Sequence, residues 1–203
     1  YFTTSARLPI LAVMAILKIA RMGHPILQQR AAEVAEPSSA EIARLVADMR
    51  ATLADSGGVG LAAPQVHVGL RVVIFEVPGA RTTDEDETPD VPPTVLINPV
   101  FEPAGEEIAI DWEGCLSVPD LRGAVPRLAR IRYRGLGLDG APVEREIDGL
   151  RARIVQHECD HLDGILYPMR MPDLTSLHYV SEIRNNPLLQ SPVAKPPEDR
   201  DVA

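Results

Sequence analysis

The 203-residue chain contains only two cysteines, Cys115 and Cys159. Two cysteines are too few for a secreted, disulfide-stapled scaffold, so a reducing compartment is expected. Aromatic residues make up only 4 % of the chain, which does not favour a surface that stacks on nucleic-acid bases. The 29 acidic residues outnumber the 20 basic ones, and the resulting net charge of −9 disfavours binding to nucleic acids or anionic membranes.

The chain also lacks an apolar run long enough to span a membrane. The longest, residues 8–20, is interrupted by Pro9 and Lys18 and is shorter than the roughly 20 residues that a spanning helix requires. The same run is similar to the apolar region of a secretory signal peptide, because a basic residue precedes it. We favour the alternative that the folded chain starts at Met14 and that residues 1–13 are an N-terminal extension outside the fold.

The remaining composition indicates one globular domain. Hydrophobic residues make up 45 % of the chain, and its length is sufficient to bury a core without disulfides. Two segments are loop-like: acidic residues 79–93, and a tail rich in proline and polar residues from residue 186. Neither divides the chain into two core-sized halves, so we predict a single domain over residues 14–185 and a disordered tail over residues 186–203.

Helical periodicity predicts a first helix after residue 38. Ser38 and Glu41 form an S-x-x-E capping box, and Gly57 and Gly58 end the run. The apolar positions between them, spaced as on one helix face, are Ile42, Leu45, Val46, Met49 and Leu53.

A second helix is predicted after Asp148, which is a favourable N-cap residue. Its apolar residues Leu150 and Ile154 share one side with His157 and His161, because residues three or four apart lie on the same face of a helix. This helix therefore carries apolar residues and two imidazoles on one side.

Short segments rich in β-branched residues predict strands. These segments are residues 71–77, 94–100, 106–110, 129–138 and 141–147. Asp139 and Gly140 between the last two favour a tight hairpin turn. A third, C-terminal helix is predicted within residues 174–183. Because strands and helices do not alternate regularly, we predict an α+β fold rather than a doubly wound sheet.

The most specific motif is H-E-x-x-H at His157–His161. Both imidazoles, four residues apart on a helix, can reach one metal ion. Glu158 lies beside the pair, where it can exchange protons with a bound water. The alternative is two histidines on an ordinary helix face, which we consider the weaker interpretation of so specific a pattern.

A catalytic metal site of this kind needs a third protein ligand. The endopeptidase pattern H-E-x-x-H-x-x-G-x-x-H matches as far as Gly164, but Tyr167 occupies its last position. Cys159 lies about 200° around the helix from His157 and faces away. Cys115 is the better candidate, since a thiolate is a soft ligand suited to iron or zinc. If the site did not require a third ligand, Cys115 would be interpreted as a small, buried apolar residue.

A glycine-rich segment, Gly58–Gln65, is the third feature. Its small residues allow the backbone to approach a ligand closely, and the Gln65 amide can donate to an oxyanion. The alternative is a turn that closes the preceding helix. The segment is not a phosphate-binding Walker loop, because it lacks the Gly-Lys-Ser/Thr ending.

Together these segments resemble the peptide deformylase family. The family's three signature stretches are G-φ-G-φ-A-A-x-Q, E-G-C-φ-S and Q-H-E-x-D-H, where φ is an apolar residue. They stand here, in the same order, as Gly58–Gln65, Glu113–Ser117 and Gln156–His161. The resemblance extends from about Lys18 to Met169, and one departure is His67, where members often have glycine. It implies an α+β fold with small mixed or antiparallel sheets around a central helix that carries the H-E-x-x-H motif.

The resemblance implies metal-dependent hydrolysis that removes the N-formyl group from the formyl-methionine of newly made polypeptides and releases formate. The implied cofactor is one divalent ion held by Cys115, His157 and His161. Ferrous iron is expected, and zinc, nickel and cobalt are the alternatives. The implied domain over residues 14–185 is thus a catalytic metallohydrolase domain.

The resemblance also implies roles for residues around the metal. Glu158 would transfer protons, while the Gln65 amide and the Leu116 backbone N–H would stabilise the oxyanion. The residues implied to bind substrate are Val59, Gly60, Leu150 and Ile154. The implied partner is a formyl-methionyl nascent peptide, with the ribosome as a second candidate. Neither direct, sequence-specific binding to nucleic acid nor binding to a membrane is expected. The setting would be the bacterial cytoplasm, with an organelle as the alternative.

Neighbouring residues suggest how the site is supported. Asp160 and Gln156 flank the histidines and are candidates to orient an imidazole. Glu113 and Arg122 are predicted to form a structural ion pair. For this pair, and for Asp160 and Gln156, the alternative is that the side chains are solvated at the surface. The histidines without a ligand partner at suitable spacing, which are expected at the surface, are His24, His67 and His178.

Two other classes of function compete with this hypothesis. One is an H-E-x-x-H endopeptidase, which Tyr167 and the Cys115 segment disfavour. The other is a non-enzymatic protein, with a closed structural metal site or with binding of formyl-peptide ends or ribosomes. Glu158 and Gln65 disfavour it, because a structural site needs neither. An enzyme with a preference beyond formyl-methionine is a further alternative.

Overall fold

The computed structural model describes residues 14–77, 91–189 and 191–192. Three α-helices are present in this part, α1 (Ala40–Ser56), α2 (Gly149–Leu162) and α3 (Val180–Asn185). The strands are β1 (Gly60–Ala62), β2 (Val72–Val77), β3 (Val91–Pro103), β4 (Ile108–Cys115), β5 (Val118–Leu128), β6 (Arg130–Leu136), β7 (Pro142–Asp148) and β8 (His178–Tyr179). The predictions for residues 1–13, for acidic residues 79–90 and for the tail beyond residue 192 lie outside the described residues.

The strands form two antiparallel sheets, which confirms the predicted α+β class. The larger sheet has the order β1-β2-β3-β6-β7, and the smaller one has the order β4-β5-β8. No helix in the described residues is long and apolar enough to cross a membrane.

Helices α1 and α2 cover opposite faces of the larger sheet. Successive residues of β2 point to opposite faces, so Val72 and Ile74 pack in the α1 core while Val73 and Phe75 pack in the α2 core. The α1 residues buried there are Ile42, Val46, Met49, Thr52 and Leu53, which include four of the five predicted apolar positions.

Helix α1 begins one residue later than the capping box predicts. The N-cap is Ser39, whose side chain accepts a hydrogen bond from the Ile42 N–H at 3.4 Å. Residues 36–39 form a turn, closed by Ser39 N–H donating to the Glu36 carbonyl, so Ser38 belongs to that turn. The predicted end is confirmed: Gly57 adopts a left-handed conformation with φ of 66° and caps the helix.

Helix α2 lies in the centre of the molecule. Its N-cap is Asp148, as predicted, although no side-chain hydrogen bond caps the helix. Every residue from Ala152 to Leu162 is buried. One side packs on the larger sheet, and polar side chains on another side bond to the smaller sheet. A helix buried all round holds its functional groups away from bulk water.

The strand predictions were correct in place but incomplete. Strand β3 begins at Val91, so residues 91–93, which were predicted to belong to a loop, are part of a strand. The Asp139-Gly140 turn joins β6 to β7 as predicted, with Gly140 at φ of 77°. Strands β1, β5 and β8 were missed. Strand β5 contains two prolines, a glycine and several charged residues, so pairing with β4 rather than local propensity produces it.

The C-terminal helix is shorter than predicted. Residues Leu174–Ser176 form a 3₁₀ turn, His178–Tyr179 pair with β5 as strand β8, and only Val180–Asn185 are α-helical. The segment is thus divided by a strand pairing that helical periodicity does not reveal.

Candidate metal centre

Cys115, His157 and His161 converge on one point. Their possible ligand atoms all lie within 4.8 Å of one another, and Cys115 Sγ is 3.3 Å from His161 Nε2. The two imidazoles lie one turn apart on α2, with ring centroids 4.9 Å apart and planes at 83°. Cys115 ends β4, where the chain turns into β5. The smaller sheet therefore brings the thiol to the helix.

The other two residues considered for the third ligand position lie elsewhere. Cys159 is buried in the apolar core between α2 and the larger sheet, and burial raises the pKa of its thiol to about 12. Tyr167 is buried with its ring stacked against His157, at a centroid distance of 6.3 Å. Neither is among the three residues of the cluster.

The cluster has the chemistry of a divalent metal site. A thiolate and two imidazoles are a donor set that suits iron or zinc. Burial lowers the pKa of His161 well below its ordinary value, so its imidazole is neutral, as a ligand must be. Glu158 Oε2 is buried beside the cluster and has no hydrogen-bond partner among the described residues. The residues present therefore fit such an ion.

His157 is oriented by Glu113. Glu113 Oε2 lies 2.8 Å from His157 Nδ1, an arrangement that directs the other ring nitrogen towards a metal. The same carboxylate accepts hydrogen bonds from Arg127 Nε and Nη2 and from Arg153 Nη1, at 2.8–2.9 Å. Burial would raise the pKa of Glu113, but the bonds from Arg127 and His157 hold it at about 2. The predicted pairing of Glu113 with Arg122 was wrong, because Arg122 is exposed on β5.

Asp160 and Gln156 connect α2 to β5 through hydrogen bonds. Neither orients an imidazole, so the prediction of that role was wrong. Asp160 accepts hydrogen bonds from Arg127 and Arg170. Gln156 bonds to both the N–H and the carbonyl of Leu128, at 3.1 and 2.9 Å. These two side chains lie one turn apart on one face of α2, next to the face that carries the histidines, and they hold the helix in register with the smaller sheet.

Glu158 is a buried carboxyl group facing Gly60. A Cβ atom at Gly60 would collide with the Glu158 carboxylate, so the close approach of β1 requires glycine there. Burial raises the pKa of Glu158 to about 7. The group can therefore exist in both protonation states near neutral pH.

Gln65 lies within a short 3₁₀ helix, Ala63–Val66, and its amide is held beside the thiol. Its Oε1 accepts a hydrogen bond from the Ala62 N–H at 2.8 Å. Its Nε2 donates to Ser117 Oγ at 3.1 Å and lies 3.5 Å from Cys115 Sγ. The glycine-rich segment thus delivers a fixed donor to the cluster rather than merely closing α1.

The three remaining histidines do not join the cluster. His24 and His67 are exposed, and their rings meet edge to face at a centroid distance of 4.7 Å. His67 adopts φ of 65°, a left-handed conformation that favours glycine. His178 lies on β8 against Trp112 and is partly buried, so its predicted surface position was only partly right.

A cleft of about 680 Å³ opens beside the cluster. It is lined by the predicted substrate residues Val59, Gly60, Leu150 and Ile154, and by Gln65, Cys115, Leu116, His157 and Glu158.

The sequence patterns did not predict a role for Arg153, which also lines the cleft and lies one turn before His157 on the same helix. They also did not predict one for Arg127, which is buried between Glu113 and Asp160. The four-residue spacing from His157 was a signal for Arg153, whereas no local signal marked Arg127.

Comparisons with known proteins give matches to one group of proteins. A sequence model of the polypeptide deformylase family matches residues 16–176. The chain is 48 % identical over 168 residues to peptide deformylase 1 of Nitrosomonas europaea, covering 83 % of this chain and 94 % of that protein. It is 51 % identical over 162 residues to peptide deformylase 1 of Bordetella pertussis, covering 79 % and 90 %.

A similar solved structure is the Met-Ala-Ser-bound class I type b peptide deformylase of Acinetobacter baumannii. Its TM-score is 0.72 at 40 % identity, with 78 % of this chain and 99 % of that chain covered. The peptide deformylase of Synechococcus elongatus in complex with actinonin gives a TM-score of 0.70 at 31 % identity. Sequence and fold thus agree on the same group of enzymes.

Proposed function

This chain belongs to the peptide deformylase family, and we propose which of its own residues perform that family's reaction. The reaction is metal-dependent hydrolysis of the linear amide between a formyl group and the amino-terminal methionine of a new polypeptide. Its products are formate and a free amino terminus. The observation that carries the assignment of residues is the convergence of one thiol and two imidazoles beside a buried glutamate.

Cys115, His157 and His161 are the proposed metal ligands. When bound, the ion supplies Lewis acidity, which lowers the pKa of a coordinated water and polarises the formyl carbonyl. Ferrous iron is the proposed ion, on the strength of the family resemblance, and zinc, nickel or cobalt would suit the same donors. Glu113 keeps His157 in the tautomer and orientation that ligation requires.

Glu158 is the proposed acid–base residue. It takes a proton from the attacking water and later returns that proton to the leaving amine nitrogen. Its pKa of about 7, raised by burial, suits both transfers near neutral pH. Its unpartnered Oε2 is free of competing hydrogen bonds within the described residues.

Gln65 and Leu116 are the proposed oxyanion donors. Gln65 Nε2 is fixed next to Cys115, and Leu116 follows Cys115 in the wall of the cleft. A donor fixed before the reaction loses no energy to reorganisation when negative charge develops. Removing one such donor typically costs on the order of 10²–10³ in kcat.

The apolar part of the cleft is the proposed binding site for the methionine side chain. Val59, Leu150 and Ile154 contribute its apolar surface, and Gly60 lets the peptide backbone approach. Strand β1 lies at the edge of the larger sheet, so an extended substrate can pair with it as an added strand.

The proposed partner is a nascent polypeptide that carries formyl-methionine, with the ribosome as a second proposed partner. The proposed setting is the bacterial cytoplasm, supported by the bacterial sources of the relatives, with an organelle as the alternative. Residues 14–185 are proposed to form the catalytic domain, since they include every site residue and the matched family region.

Formate release from formyl-Met-Ala-Ser tests this assignment. We expect the anaerobic ferrous protein, or the nickel protein, to release formate. Glu158→Gln should lose at least about 10² in kcat, since acid–base groups typically contribute 10²–10⁴. Glu41→Gln, at an exposed position on α1, is the matched control and should retain activity. Equal rates for Glu158→Gln and the wild type would overturn the proposed role of Glu158.

A further inference from the structure

One charged side chain in the cleft has no part in the reaction described above. Arg153 is only 7 % exposed, yet it lines the cleft next to Leu150, Ile154 and His157. The three neighbouring residues of α2 supply either apolar surface or a metal ligand. An arginine at this place needs its own physical account, because a buried charge is costly unless it is paired.

The Arg153 guanidinium is held by three hydrogen bonds. Its Nη1 donates to Glu113 Oε1 at 2.9 Å and to the Val125 carbonyl at 2.8 Å. Its Nη2 donates to the Ala109 carbonyl at 2.8 Å. These partners lie on β4 and β5, so the side chain extends from α2 to the smaller sheet and its charge is compensated by Glu113.

These bonds make Arg153 a rigid part of the cleft wall. A free arginine samples many rotamers, whereas a planar guanidinium bonded at three points holds the whole side chain in one conformation. The stem of the side chain is apolar and can contact an apolar substrate group. The head is engaged with β4 and β5, so the space beside Leu150 and Ile154 is limited by a side chain that cannot easily move.

We propose that Arg153 is a specificity-determining residue that sets the depth of the pocket for the first side chain of the substrate. This inference rests on the proposed function, which assigns that pocket to Val59, Leu150 and Ile154. A fixed wall allows a side chain of methionine length and rejects longer ones. One methylene too many in an apolar pocket changes kcat/KM by about 10–200-fold.

The test is a length series of substrates. The peptides are formyl-X-Ala-Ser, in which X is norvaline, norleucine, methionine or 2-aminooctanoic acid, and the measured quantity is kcat/KM relative to methionine. We expect the wild type to discriminate against 2-aminooctanoic acid. Arg153→Ala should raise the relative kcat/KM for that residue about tenfold or more, since it removes the wall. A residue that served stability alone would lower all four values by one factor.

Two further variants complete the design. Arg153→Lys keeps the charge and most of the stem but not the forked geometry, so it should relax the length preference less than Arg153→Ala. If Arg153→Ala does not fold, Arg153→Lys alone provides the test. Arg151→Ala is the matched control, because Arg151 is on the same helix but not among the described residues that line the cleft. Its length profile should be that of the wild type.

Two results are decisive and distinct. No formate release by the wild type from any of the peptides would refute the proposed function. An active wild type whose length profile is shared by both Arg153 variants would refute only the role of Arg153. A second readout is independent of turnover: in the Glu158→Gln background, Arg153→Ala should strengthen binding of the product analogue 2-aminooctanoyl-Ala-Ser relative to Met-Ala-Ser. An unchanged ratio of the two dissociation constants would also overturn the inference.

Discussion

Glu113 and Glu158 are buried within the same site but respond to pH in opposite directions. Burial tends to raise the pKa of both carboxyl groups. At Glu113 the hydrogen bonds from Arg127 and His157 outweigh burial and hold the pKa at about 2. Glu158 lacks such donors, and its pKa rises to about 7. Both start from an ordinary value of 4.5. Glu113 therefore stabilises the fold fully above pH 4.5 and loses that contribution as the pH falls towards 2. One carboxylate is built to stay charged and the other to exchange protons.

Glu158→Gln should stabilise the metal-free protein at pH 8. In the wild type the unfolded chain releases the Glu158 proton above pH 4.5, whereas the folded protein retains it up to about pH 7. The free energy of unfolding of the wild type therefore falls by about 3 kcal/mol between pH 4.5 and about pH 7. The variant avoids this loss, because its amide is uncharged at every pH. Urea unfolding at pH 4 and pH 8 measures the difference. The same gain at both pH values would argue against a buried charge as its cause.

The two cysteines should differ in metal binding. Cys115→Ala removes a proposed ligand and should purify without stoichiometric metal. Cys159→Ala removes a small group from the apolar core and should keep the metal, at a modest cost in stability. Metal content by elemental analysis and thermal unfolding separate the two effects. Loss of metal from Cys159→Ala alone would refute the proposed ligand set.

At the scale of elements, the site depends on how α2 is attached to the smaller sheet. Arg127 of β5 binds Glu113 of β4 through two nitrogens and Asp160 of α2 through a third. Arg153 makes a parallel connection from α2 to β4 and β5. The proposed ligand on β4 and the two proposed ligands on α2 therefore keep their relative positions through buried ion pairs.

Arg127→Met should destabilise the protein by about 3–5 kcal/mol, the usual cost of breaking a buried ion pair by removing one partner. Glu113 and Asp160 would lose their shared cation while remaining buried. Arg132→Met is the control, because Arg132 pairs with Glu146 at the surface of β6 and β7 and its loss should change little. Denaturant unfolding measures both, and equal effects would show that burial of the pair is unimportant.

At the scale of the whole molecule, the metal should hold the fold together. The proposed ligands come from two separate elements, β4 and α2, so an ion that binds only the folded protein stabilises it as a whole.

Chelation should therefore lower the melting temperature. An ion present at 100 times its Kd contributes about 2.7 kcal/mol, which corresponds to roughly 5–10 °C for a protein of this size. Calorimetry of the nickel or zinc protein before and after dialysis against a chelator measures the shift. Cys115→Ala should show almost no shift, and a wild type that melts at one temperature in both states would contradict the metal site.

Local sequence patterns predicted the parts that depend on neighbours in the chain. The H-E-x-x-H spacing, the Asp148 N-cap and the Gly57 stop act within a few residues, and the structure shows α1 and α2 almost where expected. Strand β5 was missed because its residues have little strand propensity, and its partner β4 supplies the hydrogen bonds. The Ser39 cap differs by one residue because the preceding turn, rather than the capping box, determines where α1 begins.

The sequence by itself determined the three candidate metal ligands, the order of the three motifs and the helix that carries two of these candidates. Tertiary structure alone decided which groups support them: Glu113 meets His157 across 44 residues of chain, and Arg153 meets Glu113 across 40. The physical reason is that a buried charge must find its partner among groups that are close in space. Spacing along the chain predicts contacts within one helix, but only the packing of α2 on the smaller sheet determines which charges are buried together.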